Sequence, residues 1–145
     1  MKQFFRAGNF ILLAGLLFIL SSCFSSRRAL GIEEGWELLS EKKVNFVRDK
    51  DEITVNSRNQ FIGLRFKVED KDVRINDLKI FFQNGDKLEP SLDDVIAANQ
   101  YSKIIELGRE GRTIDKIEFK YRTTGNVLSG RANVVVLGQK YNPGY

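Results

Sequence analysis

The chain has 145 residues, no histidine and one cysteine, Cys23. Ser–His and Cys–His nucleophilic chemistry, and zinc or haem sites built on histidine, are therefore closed to it. Carboxylates remain, and two facing Asp or Glu side chains suffice for glycoside hydrolysis. No spacing in the sequence says which two would face each other, so the reading is of a protein without catalysis and without a cofactor. Asp49 and Asp51, with Glu52 beside them, are weak candidates for a hard cation such as Ca²⁺. The stretch lacks the spaced acids and glycine of an EF-hand, and Asp is an ordinary turn residue, so a turn is the preferred reading. Gly108-Arg109-Glu110-Gly111-Arg112 lacks the lysine–hydroxyl pair of a phosphate loop and reads as a glycine-supported turn.

Five cations lie in alternating runs: Arg65, Lys67, Lys116, Lys120 and Arg122. If their strands are neighbours they form one basic binding face, suited to lipid headgroups or an acidic partner. The plainer reading is a solvated sheet face with Glu118 among the charges. Trp36, Phe81, Tyr101, Tyr121 and Tyr141 could stack on sugar rings, though aromatics at strand spacing more often belong to a core. Trp36 is expected to cover an open end of the domain. Phe81 cannot share a face with Ile80 and Phe82, so it is either covered or exposed.

The elements that must hold these groups are strands. Ile62, Leu64, Phe66 and Val68 alternate with Arg65 and Lys67; Ile117, Phe119 and Tyr121 alternate with Lys116, Glu118 and Lys120. Leu78, Ile80 and Phe82 repeat the pattern, and Val134–Leu137 is apolar on both faces, which suits a central strand. Shorter strands are expected at 37–47, 52–55, 73–75 and 103–107. Asn84-Gly85 predicts a hairpin with both turn residues at positive φ. Ser91–Ala98 predicts the one helical turn, with Ser91 as cap. Seven or eight short strands with one helical turn predict an all-β fold, an antiparallel, jelly-roll-like β-sandwich.

The chain begins with Lys2 and Arg6, continues with an apolar run from Phe10 to Leu20, and reaches Ser21-Ser22-Cys23. That order is an export signal, with an expected signal-peptide helix. Eleven apolar residues fall short of the roughly 20 needed to span a bilayer. Leu20-Ser21-Ser22-Cys23 resembles the bacterial lipobox. The resemblance implies diacylglyceryl attachment to the Cys23 sulfur, cleavage just before it, and acylation of the new amine. An ordinary signal cut near Ser22 or Ser26 is the alternative, but it leaves a lone exported thiol. No aspartate, the mark of inner-membrane retention in diderm bacteria, follows at Phe24, and no acid occupies Phe24-Ser25-Ser26. The resemblance thus implies an exported, membrane-anchored lipoprotein, on the periplasmic face of the outer membrane if the organism is diderm.

The expected organisation is a signal peptide over 1–22, a tether over 23–35, one domain over 36–141 and a tail over 142–145. Removing residues 1–22 takes away two basic residues and no acid, so the side-chain charge drops from +4 to +2. Such balance favours solubility and gives no reason to expect a nucleic-acid partner.

Trp36-Glu37-Leu38-Leu39, Val44, Asp49–Val55, Phe61, Ile80–Gly85, Ser102–Leu107, Arg112-Thr113-Ile114 and Phe119–Arg122 together resemble small exported bacterial β-domains of uncharacterised function. The match departs from them at Leu39, where glycine is expected, and at Glu106, where aspartate is expected. It implies a β-sandwich and no activity. The functional expectation is a tethered envelope protein that binds or scaffolds, its partner an envelope protein, a lipid headgroup or a glycan. A carbohydrate-binding module using exposed aromatics is the second reading, and a carboxylate-dependent hydrolase the third.

Overall fold

Alternating apolar residues make strands only when a second apolar face closes over them, and here two antiparallel sheets do so. The computed structural model describes residues 31–45, 50–123 and 131–144. The described residues hold nine strands: β1 (Trp36–Asn45), β2 (Lys50–Thr54), β3 (Phe61–Glu69), β4 (Val73–Phe82), β5 (Lys87–Leu88), β6 (Asp94–Ile96), β7 (Ile105–Glu106), β8 (Ile114–Thr123) and β9 (Arg131–Lys140). Sheet A has the order β1-β9-β3-β7. Sheet B has the order β2-β8-β4-β5, with β6 also paired to β4. Chain neighbours such as β1/β2, β2/β3 and β3/β4 lie in opposite sheets, which is the jelly-roll pattern. The expected all-β sandwich is therefore the fold. Leu20–Cys23 and the expected signal helix lie outside the described residues.

The core is what the alternation dictates. Leu64, Phe66 and Val68 of β3 and Val134 and Val136 of β9 meet Leu78 and Ile80 of β4 and Ile117 and Phe119 of β8, all essentially sealed from water. The Phe66 and Phe119 rings touch across the sheets with centroids 5.7 Å apart. Each such side chain contributes about 1.5–3 kcal/mol by burial. β9 lies centrally between β1 and β3, as its two-faced apolar run predicts. Val135 and Leu137, on its outer side, are buried as well.

Three differences from the sequence reading share one cause, a shift in the phase of alternation. Segments 73–75 and 78–82 are a single strand: Ile75 pairs with Tyr121 and Asp77 with Lys120, leaving Asn76 as the extra residue of a bulge. A second bulge falls between Phe61 and Gly63. It turns Phe61, rather than Ile62, into the core, where Phe61 is fully buried. Gly138 makes room for it, since a Cβ there would stand 2.6 Å from Phe61 Cδ1. The hairpin at Asn84-Gly85 exists, but its loop is three residues: Phe82 N–H donates to Asp86 O, and Gly85 N–H to Phe82 O. Only Gly85 has positive φ there, the geometry of a turn closed by a glycine bulge.

The helical turn expected over Ser91–Ala98 is not formed. Asp94–Ile96 is β6, pairing antiparallel with Val73–Ile75. β5 covers β4 only at Ile80 and Phe81, so the other half of that edge is open to pairing. β-Branched Val95 and Ile96 suit the strand better than the helix. Pairing to β4 outweighs the Ser91 cap.

Candidate functional site

The five cations do not form one face. Arg65 and Lys67 point outward from β3 in sheet A; Lys116, Lys120 and Arg122 point outward from β8 in sheet B. The two sheets pack face to face, so their outer sides look in opposite directions. The single basic face is therefore corrected to two separate mixed-charge surfaces. On sheet B the lysines are matched across and along strands: Lys116 lies 3.1 Å from Glu52 on β2 and 3.2 Å from Glu118 on its own strand, Lys50 lies 3.2 Å from Glu118, and Lys120 lies 3.5 Å from Asp77. With its amide turned over to satisfy both groups, Asn76, at its bulge, donates to Lys120 O and accepts from Arg122 Nη2. Lys116, chiefly by its hydrogen bond, holds the Glu118 carboxyl below its ordinary pKa, with Lys50 adding to it. Hydrogen bonding to Glu52 and then to Glu118 raises Lys116. This surface is a neutralised ladder, with the half-buried Phe81 ring under the Lys116 ammonium at 4.7 Å.

Arg65 behaves differently. Its side chain is buried, and its guanidinium carbon sits 4.0 Å from the Trp36 ring centroid and 4.1 Å from that of Tyr101. Register explains the meeting. Trp36 pairs with Gln139 across β9, while Tyr101 bridges Lys67 from the other side of β3. Trp36 thus lies on the outer side of sheet A against Arg65 rather than over an open end. Glu33 Oε2 is 3.3 Å from Arg65 Nη2, an ion pair by distance. Neither Nη2 nor Nε makes a hydrogen bond, and both atoms are shut off from water. Buried donors without acceptors cost about 1–3 kcal/mol each, so this guanidinium is held by its stacking and not by its hydrogen bonds. Beside it Lys67 pairs with Glu69 at 3.3 Å, and the buried Asn133 donates to Glu41 and Glu69.

A cleft of about 950 Å³ opens at one end of the sandwich. Three segments far apart in sequence line it: Gln60 before β3, the β4–β5 hairpin (Phe82–Asp86), and the β7–β8 loop (Leu107–Thr113). Paired backbone hydrogen bonds between Phe61 and Arg112, both 2.9 Å, tie that loop to β3. Arg112 is the pivot. It donates to Asp86 at 2.6 Å and lies over the Phe82 ring at 3.6 Å. Asn84 in turn donates to Asp86 at 3.0 Å and accepts from its backbone N–H. The turn read from Gly108 and Gly111 is correct, with φ of +125° and +68°. Gly111 also admits Tyr141, whose Cβ would stand 2.7 Å from an added methyl.

The other candidates are dispersed. Asp49 lies outside the described residues, and Asp51 accepts a hydrogen bond from Tyr121 and lies 3.4 Å from Lys42. No group of three metal-ligating side chains occurs among the described residues. Tyr121 is a core residue. Leu20, Ser21, Ser22 and Cys23 lie outside the described residues. The sequence reading missed Gln60, Gln83, Asp86 and Arg112 as cleft residues. Its nearest signal was the pair of turn motifs at 84–85 and 108–112, which say where loops are and not which loops meet.

Among solved structures, the chain is similar to one described under the structural and functional characterization of Pseudomonas aeruginosa AlgX, at 11% identity and a TM-score of 0.48. The similarity covers 71% of this chain and 26% of that one. No curated protein matches the chain. Residues 11–138 match the family model described as a domain of unknown function, DUF2541, and the chain belongs to that family.

Proposed function

We propose that this chain is an exported, membrane-anchored protein of the bacterial cell envelope that binds a polar ligand in its end cleft and performs no catalysis. The observation that carries the binding role is the closed circuit of Arg112, Asp86 and Asn84 at the cleft wall. Asp86 is already committed to a guanidinium and an amide. Among the described residues Glu110 is the only other carboxylate lining the cleft, so they offer no uncommitted pair for two-carboxylate hydrolysis. What the cleft offers instead is a set of fixed donors and acceptors, the kind of surface that fixes orientation in a binding site.

Cys23 is the proposed lipid attachment point, on the strength of the lipobox resemblance and of its being the only cysteine. The first described residues enter at the same end as the cleft, where Gly35 accepts from Lys140 N–H and Tyr141 N–H donates to Gln60. Eight residues from Cys23 to Gly31 reach at most about 28 Å even when fully extended.

A glycan is the second reading, and the lining favours it. Gln60, Gln83 and Asn84 supply amides, and Arg109 and Arg112 supply guanidinium groups, planar hydrogen-bonding pairs suited to neighbouring hydroxyls. The support comes from this cleft, not from aromatics: Trp36 and Tyr101 each have a ring face occupied by Arg65. The test is retention of solubilised envelope glycans on the immobilised full chain, compared with Gln83→Ala/Arg109→Ala, whose two sites are exposed. Retention lost in the double variant supports the cleft. Equal retention by both proteins removes it as the binding site.

A further inference from the structure

We infer that Arg65 is the anion-recognition residue of a second site, on the outer side of sheet A, which takes a carboxylate-bearing ligand in place of the Glu33 carboxylate. This inference goes beyond the end cleft and stands independently of it. The two nitrogens of Arg65 without hydrogen bonds, Nε and Nη2, form one edge of the guanidinium. That edge is the fork that matches the two oxygens of a carboxylate. The side chain is nine-tenths buried, with Trp36 and Tyr101 at 4.0 and 4.1 Å fixing its plane. A group held so firmly, with its bidentate edge unmet, is preorganised for an anion that the fold supplies only in part.

Glu33 is that partial supply. Its Oε2 reaches 3.3 Å from Nη2 without making a hydrogen bond, and its side chain is 60% exposed. The backbone around it is fixed, since Glu33 O accepts from Trp36 N–H and Gly35 O from Lys140 N–H. Exchange at Nη2 therefore takes rotation of the exposed Glu33 side chain into solvent. With Trp36 and Tyr101 against it, the guanidinium has only its Nε–Nη2 edge to offer once Glu33 has moved, and the group the fold itself sets at that edge is a carboxylate.

Trp36 is the only tryptophan, so its emission reports on the stack directly. The experiment titrates the full chain in detergent micelles with sodium acetate, against sodium chloride at equal ionic strength. Glu33→Gln, which removes the internal competitor at an exposed position, should show a saturable change in Trp36 emission. Its midpoint should fall at about tenfold lower acetate than in wild type, the effect of deleting one competing charge-assisted contact. Arg65→Lys, which keeps the charge and loses the fork, should show none. The inference is overturned if Glu33→Gln gives no saturable change beyond chloride, or if Arg65→Lys responds as wild type does. Saturation by inorganic phosphate at lower concentration than acetate would overturn the carboxylate assignment. Should Arg65→Lys not fold, the Glu33→Gln titration decides alone.

Discussion

Replacing Arg65 with methionine separates stability from recognition. Methionine keeps an unbranched stem of similar reach against sheet A and removes the guanidinium. The losses are two ring contacts, at 4.0 and 4.1 Å, and the ion pair to the exposed Glu33. Together they amount to about 1–5 kcal/mol, taking about 0.5–2 for each ring contact and at most about 1 for the pair. The gain is relief of two buried donors without acceptors, Nε and Nη2, about 2–6 kcal/mol in all. The terms nearly cancel, so Arg65→Met should leave the unfolding free energy within about 1 kcal/mol of wild type, or raise it. Urea unfolding followed by far-UV circular dichroism measures this without relying on Trp36, whose surroundings change. A fall of more than about 2 kcal/mol at unchanged m would refute the reasoning, because Arg65 would then be a structural residue.

Gly138→Ala should destabilise by about 1–3 kcal/mol or more through overpacking: its Cβ would stand 2.6 Å from Phe61 Cδ1 and 3.1 Å from Leu39 Cδ1. A urea midpoint equal to wild type would contradict the bulge packing at the β1–β9–β3 junction. The Glu118 carboxyl is held low by Lys116 and then Lys50, so its contribution is present above the unfolded-state value and lost as pH falls through the folded one, below about 4.5. The raised Lys116 acts at the opposite limit: its contribution is complete below 10.5 and lost as pH rises through the folded value above it. Thermal melts in acid should therefore show a shallower loss for Glu118→Gln than for wild type; identical acid limbs would show that Glu118 contributes nothing there. Gly111→Ala should loosen the end cleft, since φ is +68° and Tyr141 fills the space, and faster proteolysis within the β7–β8 loop would show it.

Strand positions were legible because an outward Lys or Glu between inward apolar residues declares both the strand and its face. Leu64–Val68 and Ile117–Tyr121 are of this kind. Bulges were not legible, because Asn76 reads as a break in alternation and not as one extra residue within a continuous strand. Phe61 was missed for the same reason, its inward turn depending on the bulge before Gly63 and on the missing side chain at Gly138. Ser91–Ala98 was misread because the open edge of β4, which decides its state, is a tertiary fact. Alternation puts Arg65, Lys67, Lys116 and Lys120 opposite the apolar positions of their strands, yet it cannot say that β3 and β8 belong to opposite sheets. The Arg65 stack joins Glu33, Trp36 and Tyr101 from three separate stretches, and the cleft likewise joins Gln60, Asp86 and Arg112. Neither constellation leaves a local pattern in the sequence.

The central proposal is a binding domain held at the membrane through Cys23. Intact-mass measurement of the mature protein, with fractionation of wild type and Cys23→Ala, tests it most directly. Wild type should begin at Cys23, carry diacylglyceryl and acyl mass, and sediment with membranes, while Cys23→Ala should lose both the added mass and the membrane association. Wild type without acyl mass, and a variant that fractionates as wild type does, would contradict it.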